Sequence, residues 1–327
     1  MNNYIPIGKS RFITYLNKIH EILDKARSAE NPAQLVYEED IRTPLFMLEG
    51  LSRLYKKITD HKKLKKLNEL FKDMEDRLGE IDFYDGFYKE FKNEKNIPES
   101  LINYLKEKKE RKLDDLKDFL KDEKWISKNQ KRLLQIMKEL DEVKWLDEKN
   151  DSLAILDVYQ EDIKKVVKKY KRKSFKFCDI ENDVHELRRQ LRWLSIYPQA
   201  LGGLMQLKTE GEPQEFLMKY LTPEIINSPF NVMPDGSQLQ YHIMLHKNYF
   251  YALSWIIAEL GILKDSGLRI KILEESISDV YKTKEDVEQL VYSICKENQL
   301  TIPQILQQAE KVSATFFSEN ILHNILG

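Results

Sequence analysis

A chain of 327 residues, 42% apolar and 33% charged, has the profile of a globular protein with room for a substantial core, built as one large domain or two ordinary ones. Its 53 Lys and Arg nearly cancel its 54 Asp and Glu, which argues against wholesale coating of nucleic acid or membrane and leaves any role for charge to local patches. Two cysteines exclude a disulfide framework, no Cys or His cluster has zinc-site spacing, and no apolar run approaches ~18 residues, so the sequence predicts a cytoplasmic protein without a membrane span.

Eleven glycines and ten prolines are few for this length, a composition that predicts long helices and an all-α fold. Residues 1–32 are expected to form an N-terminal helical extension. Ile41, Leu45, Leu48 and Leu51 then recur every three or four positions, as do Leu101, Tyr104 and Leu105, and later Leu133, Ile136, Met137 and Leu140; each set marks one apolar helix stripe. Pro98 with Ser100 opens the helix through SLINYLKEKKERKLDDLKDFL, Ser127 opens the next, and Thr283 and Thr301 cap later ones. Charges of both signs from Lys106 to Lys124, Asp114 and Asp115 among them, read as a solvated face laced with ion pairs. Strand-like alternation is hard to find. The extended irregular stretch Thr222 to Gln238 holds three prolines and a glycine, and reads equally well as a functional lid or a long surface connection.

A faint internal repeat runs through this pattern. Laying EEDIRTPLFMLEGL over VHELRRQLRWLSIY sets Arg42 on Arg188, and Ile41, Leu45 and Leu48 on Leu187, Leu191 and Leu194. RLGEID and ELGILKD follow as a second landmark. Arg42 precedes Gly79 by 37 positions and Arg188 precedes Gly261 by 73, so the second copy carries 36 further residues, within which the irregular stretch falls.

Positive charge gathers in the second copy. At about 100° per residue, Val184, Leu187, Leu191 and Leu194 form one stripe of a helix, and His185, Arg188, Arg189 and Arg192 a second, expected to point outward as a cationic row. Just upstream, KKVVKKYKRK places Lys164, Lys165, Lys168, Lys169 and Arg172 on a face opposite Val166, Val167 and Tyr170, and residues 164–176 include no Asp or Glu. If the two helices are neighbours, their charged sides flank one groove suited to a string of phosphates, because Arg offers a planar fork and Lys a mobile point charge. The plain alternative is that a Lys-rich face is simply solvated and that His185 is a surface or capping side chain.

VHELRRQLRWL, preceded by the basic KKVVKKYKRK helix and followed by ELGILKD, resembles the second half of a CHAD domain, the conserved-histidine α-helical domain, over roughly Ala33 to Leu322. The resemblance implies a bundle of long antiparallel helices in two pseudo-symmetric halves, about 33–150 and 151–322, with basic helix faces around a groove that binds inorganic polyphosphate without catalysis. On that reading His185, Arg188 and Arg192 match the motif helix, with Arg189 nearby, and Lys165, Lys168, Lys169 and Arg172 belong to the preceding basic helix. In the first half Glu39 stands at the position of His185 and Phe46 at that of Arg192, and only Arg42 keeps its charge.

Other constellations carry less. His242 and His246 are four apart, half a metal site if they share a helix face, but the sequence fixes no third ligand among Glu224, Asp235 and Glu259, and no metal is expected. Tyr249, Leu253 and Ile256 in the run YFYALSW keep core spacing. No Gly-rich phosphate loop, nucleophile elbow or H-E-x-x-H occurs, so neither an enzyme nor a cofactor is expected. The leading expectation is a non-enzymatic polyanion binder, for inorganic polyphosphate above all, that uses Lys164, Lys165, Lys168, Lys169, Arg172, His185, Arg188, Arg189, Arg192 and Arg42. Nucleic acid is disfavoured, since Tyr170 is the main aromatic interleaved with these cations. The alternative is a helical interaction scaffold that has lost polyphosphate binding and holds an acidic protein partner.

Overall fold

The computed structural model describes residues 5–59, 62–172, 176–209, 211–282, 287–295 and 300–326. The helical expectation is met, by α1 (Ile7–Arg27), α2 (Pro32–Glu38), α3 (Arg42–Ile58), α4 (Lys62–Phe91), α5 (Glu99–Asp122), α6 (Lys131–Asp141), α7 (Glu148–Arg172), α8 (Glu186–Ala200), α10 (Lys247–Tyr281), α11 (Val287–Ile294) and α12 (Ile302–Ser318), and a short α9 (Pro223–Ile226) forms inside the stretch that its sequence marks as irregular. The fold is all-α in its bulk. None of the described helices is long and apolar enough to cross a membrane.

The helices group into two compact units. Lys9–Lys144 and Arg269–Gln299 form one, here called the A unit; Met1–Gly8, Trp145–Leu268 and Leu300–Gly327 form the other, the B unit. The helix α10 contributes residues to both.

In the A unit α4 packs against α3 and α5. Its core is the set of stripes read from the sequence: Ile41, Leu45, Leu48 and Leu51 are all fully buried, with Leu101 and Leu105 of α5 and Ile136 and Leu140 of α6. Residues of α1 belong to the same core through buried Phe12, Leu16, Ile19 and Leu23, and the Arg11 guanidinium donates to the Tyr55 hydroxyl. Asn31 caps α2 by accepting the Gln34 N–H at 3.2 Å, and Ser127 Oγ accepts the Lys131 N–H at 2.9 Å at the start of α6. Arg269, 8% exposed at its side chain, pairs with Glu90 and Glu94 and lies over the Phe91 ring.

In the B unit α7 packs on α8: the Tyr159 hydroxyl donates to the Leu194 carbonyl at 3.0 Å and the Tyr197 hydroxyl to Asp162 at 3.3 Å. A π-helical turn, Ile180–His185, leads into α8, and Asp179 caps it by accepting the Asn182 N–H. Thr301 and Gln304 form a capping box at the start of α12, as its sequence predicts, whereas Thr283 lies outside the described residues.

Two strands depart from the helical expectation. β1 (Met205–Lys208) pairs in parallel with β2 (Ile243–His246) in the register Met205↔Ile243 to Lys208↔His246, and Leu245 bridges Leu326 on the far side. Four-residue strands are too short to show an alternation that can be told from a helix stripe. They belong to residues 201–246, which join α8 to α10 where three residues join α3 to α4. The irregular stretch from Thr222 is itself ordered, by α9 and by a 3-10 turn at Pro229–Asn231.

Candidate functional site

The last turns of α7 are oriented by their apolar side. Val166, Val167 and Tyr170 are buried, and Tyr170 stacks on Phe317 of α12 with ring centroids 3.8 Å apart. The opposite side is therefore held outward. Lys164, Lys168, Lys171 and Arg172, with Val167 and His323, line an open groove of about 420 Å³. Among the described residues no Asp or Glu lines this groove, and none pairs with its Lys or Arg side chains.

The five cations expected on one face of α7 divide into two rows. Lys165 pairs with Glu161 one turn earlier at 2.7 Å, and Lys169 with Glu186 of α8 at 3.1 Å. Neighbouring positions are about 100° apart on a helix, so Lys165 and Lys169 turn toward these carboxylates while Lys164, Lys168 and Arg172 face the groove.

The α8 row is not the free cationic edge that its sequence suggests. His185 Nδ1 is 2.7 Å from Glu181, and Arg189 is 2.5 Å from Glu186. Burial opposes ionisation of Glu186, but hydrogen bonds from Gln190 and Lys169 and the Arg189 charge outweigh it and hold the carboxyl below its ordinary value. Arg188 does not point outward. Its half-buried guanidinium lies against Gly261 of α10, where an added Cβ would sit 3.0 Å from Nε, and Nε donates to the Ile257 carbonyl at 3.1 Å. Burial lowers its pKa, and the Asp265 charge acts in the other direction. Arg192 is half-buried as well. The reason is shared: long side chains at the border of an apolar stripe lay their stems along the core, so helical phase alone does not put their charges in water.

In the A unit Arg42 is fully answered. Its Nε donates to Glu75 at 2.8 Å, Nη1 pairs with Asp82, and the guanidinium lies 5.3 Å from the Phe46 ring. Burial would lower its pKa, but Glu75 and Asp82 raise it. A Cβ at Gly79 would sit 2.9 Å from Arg42 Nη2, so Arg42 covers Gly79 as Arg188 covers Gly261. Glu39, at the position of His185, pairs with Lys25 at 2.7 Å.

His242 and His246 do not share a helix face. His242 lies in an irregular segment with Nε2 3.0 Å from the Gly236 carbonyl, and His246 ends β2. Among the described residues no group of three His, Cys, Asp or Glu could hold a metal ion.

Two groove residues escaped the sequence reading. Lys171 is three positions after Lys168 and seven after Lys164, so helical arithmetic alone could have added it. His323 comes from the far end of the chain, and only the fold brings it to α7. No family model matches this sequence, and neither a curated protein nor a solved structure matches it.

Proposed function

We propose that this chain is a non-enzymatic, cytoplasmic polyanion-binding protein and that its ligand, inorganic polyphosphate in the simplest case, lies along the α7 groove. One observation carries the reading: Lys164, Lys168, Lys171 and Arg172 converge on a single groove without a carboxylate among its lining residues. Cations one helical turn apart, roughly 6 Å, track an extended chain of phosphates, and each charge-assisted hydrogen bond contributes about 1.5–3 kcal/mol before desolvation is subtracted. Lys165, Lys169 and Arg189 are outside the groove's lining and share their charge with Glu161 and Glu186.

The likeness to a CHAD domain, with halves at about 33–150 and 151–322, belongs to the same proposal. The two arginines matched by the sequence repeat each cover the glycine that the repeat matches, Arg42 over Gly79 and Arg188 over Gly261. At the offsets of Glu75 and Asp82 the second copy has Ile257 and Lys264; Arg188 instead bonds the Ile257 carbonyl and feels the charge of Asp265. The ligand is proposed on the second half alone because the cations that line the groove all belong to it.

The test is a titration of medium-chain polyphosphate into the wild type and into Lys164→Glu/Lys168→Glu/Arg172→Glu. Saturable, salt-sensitive binding that the triple variant loses supports the proposal. Absence of binding, or equal binding by the variant, selects the second reading, a helical scaffold that has lost polyphosphate binding. The carboxylates paired with His185, Arg189, Lys165 and Lys169 favour that second reading.

A further inference from the structure

A surface of opposite character lies on the residues that join α8 to α10. Phe230 is 72% exposed, Val232 69% and Ile226 46%, although a large apolar side chain in water forgoes its burial free energy. The backbone beneath them is fixed. Gln199 Nε2 donates to the carbonyls of both Phe230 (3.1 Å) and Val232 (2.9 Å), which brings these two residues together. The buried Asn231 side chain donates to the Ile225 carbonyl at 2.8 Å and accepts from Ser254 Oγ at 2.5 Å. Further on, Gln206 donates to the Pro234 carbonyl at 2.9 Å, and Gly203 lies so close to Asp235 that a Cβ there would meet its carbonyl oxygen at 2.3 Å. The apolar side chains are thus presented by a braced segment.

Along the chain, the charge on either side of them is one-sided. Glu224 and Asp235 bracket the apolar residues in sequence, and both are exposed. Hydrogen bonds keep each carboxyl ionised: Glu224 is lowered by its own N–H and by Thr222, and Asp235 by the N–H and hydroxyl of Ser237. Glu212 and Glu215 are exposed nearby in the chain. Lys219 is the single base of residues 211–241, and Glu319 already pairs with it.

We infer that this braced, acid-bracketed apolar face is a docking surface for a cationic peptide segment of another protein, which seats aliphatic or aromatic side chains on Ile226, Phe230 and Val232 and directs Lys or Arg to Glu224 and Asp235. Preorganisation of the segment lowers the ordering cost of binding, and an exposed aromatic beside charge has the make-up of an interface anchor. Charge decides the class of occupant. Anionic headgroups are repelled by the carboxylates, and a two-fold contact with a second copy would set the same carboxylates against each other. The surface does not depend on the α7 groove, whose charge is opposite.

The experiment is selection of a displayed random dodecapeptide library on the immobilised full chain, followed by fluorescence anisotropy of the enriched peptides. Expected are peptides of net positive charge with at least two large apolar residues. Their affinity should fall at least tenfold with Phe230→Ser/Val232→Ser and at least threefold with Glu224→Gln/Asp235→Asn, while neither double variant changes polyphosphate binding. The inference is overturned by failure to enrich, by acidic peptides, or by equal binding to both double variants. It is also overturned if light scattering shows a dimer that Phe230→Ser/Val232→Ser dissolves, or if phosphatidylserine vesicles sediment the wild type but not this variant. The changed side chains are exposed, so the melting temperature should hold; if the apolar variant melts early, the carboxamide variant alone decides.

Discussion

Glu49 on α3 is a carboxylic acid inside a helix interface, 6% exposed, and its replacement by Gln should stabilise the protein in one pH range only. Burial, and then the charge of Glu75, push its pKa up to about 7, against 4.5 for an unhindered Glu. In linkage terms, both folded and unfolded states hold the proton below pH 4.5 and Glu49 costs nothing. As pH rises from there to about 7 the unfolded chain ionises first, and stability falls; above 7 the loss is complete. The difference between 4.5 and about 7 corresponds to at most ~3.5 kcal/mol at about 1.4 kcal/mol per pH unit. Glu49→Gln removes the ionisation and keeps the shape, so it should gain up to that amount at pH 8 and nothing at pH 4. Urea unfolding of both proteins at pH 4, 6 and 8 measures this, and taking the difference cancels the carboxylates that do not interact with Glu49. A gain independent of pH, or one larger at pH 4 than at pH 8, would refute a neutral buried acid at this position.

The two glycines under the arginines should respond differently to a methyl group. Gly79→Ala must push Arg42 off Glu75 and should destabilise by about 1–3 kcal/mol, whereas Arg188 is held by one carbonyl and can move, so Gly261→Ala should be near neutral once helix propensity is counted. Thermal melts of the two variants rank them, and the reverse order would contradict the ion-pair account. Gly203→Ala, at φ +92° and against the Asp235 carbonyl, should cost more than 2 kcal/mol and open residues 211–241 to limited proteolysis. If four phosphates are neutralised in the α7 groove, polyphosphate affinity should fall on the order of 100-fold between 50 and 200 mM salt, a slope that Lys168→Glu should flatten.

Most of the core was legible because periodicity reports which face of a helix is apolar: Leu45, Leu48 and Leu51 are buried as expected, as are Leu133, Ile136 and Leu140, whereas Met137 of the same stripe is only half-buried. Tyr104, read with the same stripe as Leu101 and Leu105, is only half-buried, and its hydroxyl bonds Glu275 at 2.8 Å and Asp279 at 2.6 Å. That partner is 171 positions away, beyond the reach of any local pattern. The candidate site was legible by half. Lys164, Lys168 and Arg172 are grouped by α7 itself, but periodicity says nothing about which charges meet, so Glu181 and Glu186 as partners of the α8 cations could not be foreseen. His323 needed the fold. That Arg42 covers Gly79 and Arg188 covers Gly261 is a fact of packing that no sequence pattern reports.

Arg269 closes the A unit from a distance in sequence, and this sets an order on its assembly during synthesis. Residues 9–144 leave the ribosome well before 269–299 do; at about 5–20 residues per second the wait is roughly six to thirty seconds. Through that interval Glu94, only 10% exposed at its side chain in the finished protein, lacks its guanidinium, and the Phe91 ring lacks the cation above it. The nascent A unit therefore waits, incomplete, for a segment translated only after most of the B unit, and it is in this window that chaperone capture or misassembly would find it.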